Sequence, residues 1–202
     1  MPKALRDLDE DSRRALDGAV AALKQAGAEM VEVGLPAGFN QGARDWLPLC
    51  AVECAIAHEA TYPSRANDYG SVLAALIESG RKLSAMEMAR LQLRRAALTG
   101  ELDKLLASLD LLLMPVMGRA AWSLDALAEA GRDPETVAER LRYTAPFDLS
   151  GHPTLTLPGG VTSDGVPVGF QIVGHAFDEA GILAAGHAYQ EATDWHLKRP
   201  PL

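Results

Sequence analysis

The sequence predicts an α/β protein in which a mixed β-sheet is layered by helices. Three observations carry that prediction. Apolar residues recur at three- and four-residue spacing through residues 9–26. Val166, Val168, Phe170 and Ile172 alternate at a strict period of two, and Asp110-Leu111-Leu112-Leu113-Met114-Pro115 is an apolar run of strand length closed by proline. A chain of 202 residues, 48% apolar and 23% charged, matches ordinary soluble usage and can bury roughly 70% of its unfolded surface. A fibre, a disordered tail and a mini-protein held by covalent staples are excluded.

Taken in order, Leu16, Ala19, Val20 and Leu23 predict an amphipathic helix that stops at Gly27. Val31, Val33 and Leu35 then alternate with Glu32 and Gly34 up to Pro36, which predicts a strand and makes residues 1–40 a helix-strand unit. Residues 41–109 read as a mostly helical layer, with breaks near Pro63, Gly70 and Gly80. Within it Ser84-Ala85-Met86-Glu87 has the capping-box pattern, and Leu98, Leu102, Leu105 and Leu109 form an apolar stripe that Gly100 interrupts with a kink or a break.

Residues 110–202 supply the sheet-completing strands and a final helix. The Asp110–Pro115 run reads as a central strand covered on both faces. Short helices end near Leu141. Strands follow at Leu155–Leu157 and Val166–Ile172, with Asp164-Gly165 as turn chemistry and Gly159-Gly160 read as a strand-to-strand loop. Asp178 caps a last helix that presents Ile182, Gly186 and Tyr189 on one face.

The formal net charge of −8 repels phosphate backbones and anionic lipid, so neither a nucleic acid nor a membrane is an expected partner. The longest apolar run falls far short of the roughly 20 residues of a membrane helix. The first residues alternate acids and bases without a signal segment, and the expected location is cytoplasmic. Cys50 and Cys54, one helical turn apart, read as two buried thiols on one face. No zinc-ligand spacing, phosphate loop or dinucleotide fingerprint is present, so no metal and no cofactor is expected.

Nucleophilic catalysis requires a serine with a base in reach and donors for the oxyanion. Gly-x-Ser-x-Gly is missing. Ser79-Gly80-Arg81-Lys82 matches Ser-x-x-Lys, but without the companion motifs that give the pattern meaning it reads as chance. Asp148, Ser150 and His152 lie too close in sequence for an ordinary triad, and the segment reads as a turn set by Gly151 and Pro153. His58, with Glu59 and Asp45 nearby, reads as a partly buried histidine on a helix face rather than as a general base.

One stretch is more specific. Tyr143-Thr144-Ala145-Pro146-Phe147-Asp148-Leu149-Ser150-Gly151-His152-Pro153 through Pro158-Gly159-Gly160, continued by Gly165 to Gly174, resembles the C-terminal signature of the amidase signature family. Asp110–Pro115 followed by Ala120 is similar to that family's strand-Pro segment, and residues 26–36 resemble its helix-strand unit. The resemblance covers nearly the whole chain and is weakest across residues 40–100. It implies a mixed sheet layered by helices and a Ser-Ser-Lys triad, in which a neutral lysine takes a proton through a bridging serine.

All three triad residues belong to the family's N-terminal half and have no counterpart here, so no catalytic residue is assigned. The resemblance implies the C-terminal part of a hydrolase of carboxylic amides, either a truncated product or the partner of a separate chain holding the triad, inactive alone, that shapes the substrate pocket with Met117, Trp122, Tyr143, Thr144 and Phe147. The implied partners are a small-molecule amide, once an N-terminal half completes the enzyme, and a second copy or a separate catalytic chain. Glutamine-handling members carry an acidic residue where this sequence has Leu141, which favours a general acylamidase. The alternative is a non-catalytic binding or scaffold module derived from the same fold, and a hydrolase built on Ser79 and Lys82 ranks last.

Overall fold

A computed structural model describes residues 7–130 and 133–199. Helix α1 (Glu10–Gln25) starts where the Asp9 carboxylate accepts the Ser12 amide proton at 2.8 Å. Glu10 and Asp11 in its first turn and Lys24 in its last suit the helix dipole. Gly27, at φ 98°, turns the chain out of the helix in a conformation that disfavours any side chain. The buried face of α1 is Ala15, Leu16, Ala19, Ala22 and Leu23.

The helical layer follows as α2 (Phe39–Ala57), α3 (Ser71–Lys82) and α4 (Ala85–Leu106). A Cβ on Gly80 would lie 2.0 Å from the Ala51 carbonyl oxygen, so α2 and α3 approach as closely as a bare backbone allows. The predicted capping box forms, with Ser84 and Glu87 bonding each other's backbone amides. Gly100 does not break α4, whose neighbouring turns bury Leu98, Leu102 and Leu106. Gly80 likewise lies inside α3, and the chain breaks instead after Lys82.

The sheet has the order β1-β3-β2, built from β1 (Leu112–Pro115), β2 (Thr154–Val161) and β3 (Pro167–Val173), with both pairings antiparallel. Between β1 and β2 lie α5 (Leu124–Ala130), α6 (Pro134–Arg140) and α7 (Ala145–Ser150), and α8 (Glu179–Ala192) closes the fold. Leu112 pairs with Val173 and Leu157 with Phe170. The Phe170 ring meets Tyr189 of α8 edge-on at 4.8 Å between centroids, and the Tyr189 hydroxyl donates to the Pro158 carbonyl at 3.0 Å. Ile182, Gly186 and Tyr189 form the buried face of α8, as their spacing predicts.

The structure corrects several expectations. Residues 28–36 belong to no strand of the sheet formed by the described residues. Asp110–Pro115 contains a strand, but among the described residues β1 lies at the edge of the sheet and β3 at its centre; an apolar run reports burial of its faces, not the number of its neighbours. Gly159 and Gly160 lie within β2 at a register shift, and an added Cβ on Gly159 would sit 3.2 Å from Ala15 of α1, so these glycines let α1 close on the sheet. The segment expected as a turn before Gly151 is α7, with Pro146 in its first turn and Gly151 at φ 78° ending it. Cys50 and Cys54 are half-buried and unpaired rather than fully enclosed.

Candidate functional site

One buried amide ties the end of β1 to the turn that carries Tyr143. Gln171, only 1% exposed, sits in β3 on the opposite face from Phe170 and Ile172. Its Nε2 donates to the Pro115 carbonyl at 3.0 Å and to the Tyr143 carbonyl at 2.5 Å. The end of β1 and the turn before α7 are thus fixed against the same side chain. Gly118 lies against the Tyr143 ring, 3.7 Å from where its Cβ would be. Arg142 covers that ring at 4.9 Å and binds Asp7 at 3.0 Å. Burial pushes the Tyr143 hydroxyl above its ordinary pKa, with the Arg142 charge working against the rise.

Asp9 extends the arrangement to α1. Besides capping the helix it accepts the Ala120 amide proton at 2.7 Å, while its own amide donates to the Gly118 carbonyl at 2.8 Å. Burial raises the Asp9 carboxyl, but the amides of Ala120 and Ser12 more than offset this and leave it below its ordinary value. Met117 and Trp122 border the loop so held, both half-buried. The Trp122 ring carries Arg119 at 5.2 Å, and its indole N–H is buried with no acceptor among the described residues.

Thr144 is the residue before α7, and its hydroxyl donates to the Leu141 carbonyl at 3.4 Å. Phe147 departs from the group. It is 1% exposed and packs edge-on against Phe39 of α2 at 5.5 Å, so its ring belongs to the core beneath the turn. Gln171 thus ties the strand end two residues before Met117 to the backbone of Tyr143, the residue before Thr144, while Phe147 lies in the core. Gln171 and Asp9 are not among the residues that the sequence singles out. The signal for Gln171 is a lone amide in an apolar strand, and that for Asp9 is an acid three residues before Ser12.

The serines offer no assembled catalytic device. Ser79 donates to the Leu76 carbonyl at 2.7 Å, and Lys82 is exposed. Ser150 lies 2.9 Å from His152 Nδ1, and His152 Nε2 lies 3.2 Å from Asp103 Oδ1. This chain of contacts superficially resembles a triad, with Asp103 in the place Asp148 would have taken. Ser150 ends α7, where the exposed carbonyls oppose a developing oxyanion, and its hydroxyl also donates to the Phe147 carbonyl at 3.3 Å. His152 Nε2 is buried and makes no hydrogen bond among the described residues, so its approach to Asp103 of α4 completes no relay. Asp45, buried and clamped by Arg94 at 2.6 and 2.8 Å, and His58, bonded to the Tyr69 hydroxyl at 3.2 Å, are likewise structural. Among the described residues no cluster of His, Cys, Asp or Glu could hold a metal ion, and no helix is long and apolar enough to cross a membrane.

The family profile named Amidase matches residues 2–183. The chain belongs to the amidase family. The protein of Mycobacterium tuberculosis named as the amidase AmiD is 44% identical over 152 residues, covering 75% of this chain but 32% of AmiD. One component of the glutamyl-tRNA(Gln) amidotransferase of Chromobacterium violaceum is 30% identical over 227 residues, 96% of this chain and 44% of the relative. Among solved structures, the amidase-family fold recurs in 6-aminohexanoate cyclic dimer hydrolase, with a TM-score of 0.82 and 25% identity over 96% of this chain and 43% of that one. The chain thus spans a third to under a half of the amidase relatives it matches, and it corresponds to their C-terminal region.

Proposed function

We propose that these residues form the substrate-facing wall of a carboxylic-amide hydrolase whose bond-breaking groups lie in the portion of the family fold outside them, here called the complement. The observation that carries the reading is the Gln171 clamp, which holds the loop after β1 and the turn before α7 together at one end of the sheet. A buried amide spent on two loop carbonyls is worth most where loop positions matter to within a fraction of an ångström. Met117, Trp122, Tyr143 and Thr144 then border the bound amide, and Phe147 fixes the turn from the core. Attack on the carbonyl, proton transfer and oxyanion stabilisation are left to the complement. The unpaired Cys50 and Cys54 suit a reducing compartment, and we assign the activity to the cytoplasm.

The test uses this chain co-expressed with the part of AmiD that precedes its matched region, assayed on acetamide, hexanamide and benzamide. Met117→Ala and Trp122→Ala are expected to change the ratio of kcat/KM between hexanamide and benzamide by tenfold or more. Ratios unchanged in both variants overturn the pocket assignment.

A further inference from the structure

Helix α2 carries both cysteines of the chain, Cys50 and Cys54, one turn apart on one face, each free and half-buried. The helix runs regularly through the pair, and the Cys54 carbonyl accepts the His58 amide proton at 3.1 Å. Side chains four residues apart on a helix are surface neighbours, with Cβ atoms about 5–6 Å from one another. A disulfide needs its Cβ atoms roughly 3.5–4.5 Å apart, so the two thiols cannot close on each other while α2 stays helical. One atom placed between the sulfurs spans the gap.

The surroundings decide which atom. Burial raises the Cys50 thiol above its ordinary pKa, and the carboxylates of Glu53 on the same helix and Asp148 on α7, with the Cys54 thiol, add to the rise. Cys50 therefore stays protonated at neutral pH. A protonated thiol is a poor nucleophile, which argues against a disulfide-exchange or sulfenic-acid sensor. A metal cation binds thiolate and must first displace the proton. It also needs further ligands, and among the described residues no group of three His, Cys, Asp or Glu side chains could hold one. The pair suits an uncharged, thiophilic electrophile that takes two sulfurs and whose leaving groups carry the thiol protons away.

We infer that Cys50 and Cys54 form a capture site for monosubstituted trivalent arsenicals, R–As(OH)2, in which arsenic bridges the two sulfurs across one turn of α2. Each thiol forms one S–As bond as one As–OH bond breaks, and its proton leaves with the hydroxide as water. Two waters are released, the organic group stays on arsenic, and neither arsenic nor sulfur changes oxidation state. Once the first sulfur is bonded the second closes intramolecularly, which sets the pair apart from a single thiol. Capture needs no amide hydrolysis, so it is measured on this chain as it stands.

The experiment is native mass spectrometry and thermal unfolding of the reduced chain with phenylarsine oxide, which hydrates to phenyl-As(OH)2. One adduct per chain is expected, with the mass of phenyl-As(OH)2 less two waters, a raised melting temperature, and reversal by 1,2-ethanedithiol. Cys50→Ala and Cys54→Ala should each weaken binding at least a hundredfold. The double variant Cys54→Ala/Ala55→Cys, which keeps two thiols but turns one off the shared face, should behave like the single variants. The site is overturned by the absence of an adduct, by one that survives the loss of either cysteine, or by undiminished binding in the double variant. An adduct that forms only in urea, or that lowers the melting temperature, overturns it equally, since the helix must then open to bind.

Discussion

Asp9, Gln171 and His152 show how much of this structure hangs on single side chains. Asp9 serves the α1 cap and the Ala120 amide at once, so Asp9→Ala is expected to cost about 1–2 kcal/mol in urea denaturation. Its folded pKa lies below the ordinary carboxylate value, so the stabilisation is present above pH 3.8 and is lost as the pH falls through the lowered pKa. The stability gap between the natural chain and Asp9→Ala should therefore stay constant from about pH 7 to 5 and narrow below pH 3.8. Gln171→Leu removes the side-chain donor from the Pro115 and Tyr143 carbonyls, and a loss of about 2–4 kcal/mol is expected. A loss under about 0.5 kcal/mol would mean that the clamp holds nothing. His152→Ala is expected to lower stability through the lost Ser150 contact and the cavity left behind, without altering amide turnover in the complemented enzyme.

Elements differ in how plainly the sequence announces them. Helix α1, strand β3 and helix α8 are legible because one face of each is buried and the other is not, which writes the period into the side chains. Helix α7 reads as a turn although Pro146 and Gly151 mark its two ends; at six residues it is too short to display a period. The edge position of β1 is not legible, since a strand's pattern is set by what covers its faces. Gly159 and Gly160 mark a register shift under α1 rather than a loop, a distinction made only by the close approach of Ala15. Gly80 belongs to the same class. Its bare Cα lets α3 meet the α2 backbone, and Gly80→Ala is expected to destabilise by about 1–3 kcal/mol despite the better helix propensity of alanine. An unchanged or raised melting temperature would contradict that packing.

The whole molecule is a family fold carried to part of its extent. The family resemblance in residues 143–174 is legible from sequence, while the Gln171 clamp and the edge of the sheet among the described residues emerge only from tertiary pairing. Exposed apolar surface costs roughly 25 cal/mol per Å² when wet, so the isolated chain is expected to self-associate above micromolar concentration in light scattering, and co-expression with the complement should abolish this. A monodisperse monomer at high concentration would instead favour an independent binding module. The central claim is that these residues wall a site whose reactive groups lie elsewhere. Its most direct test is ammonia release from acetamide, hexanamide and benzamide by the purified chain alone: the expected rate equals the buffer blank, and turnover above it that Ser150→Ala or Ser79→Ala abolishes would contradict the account.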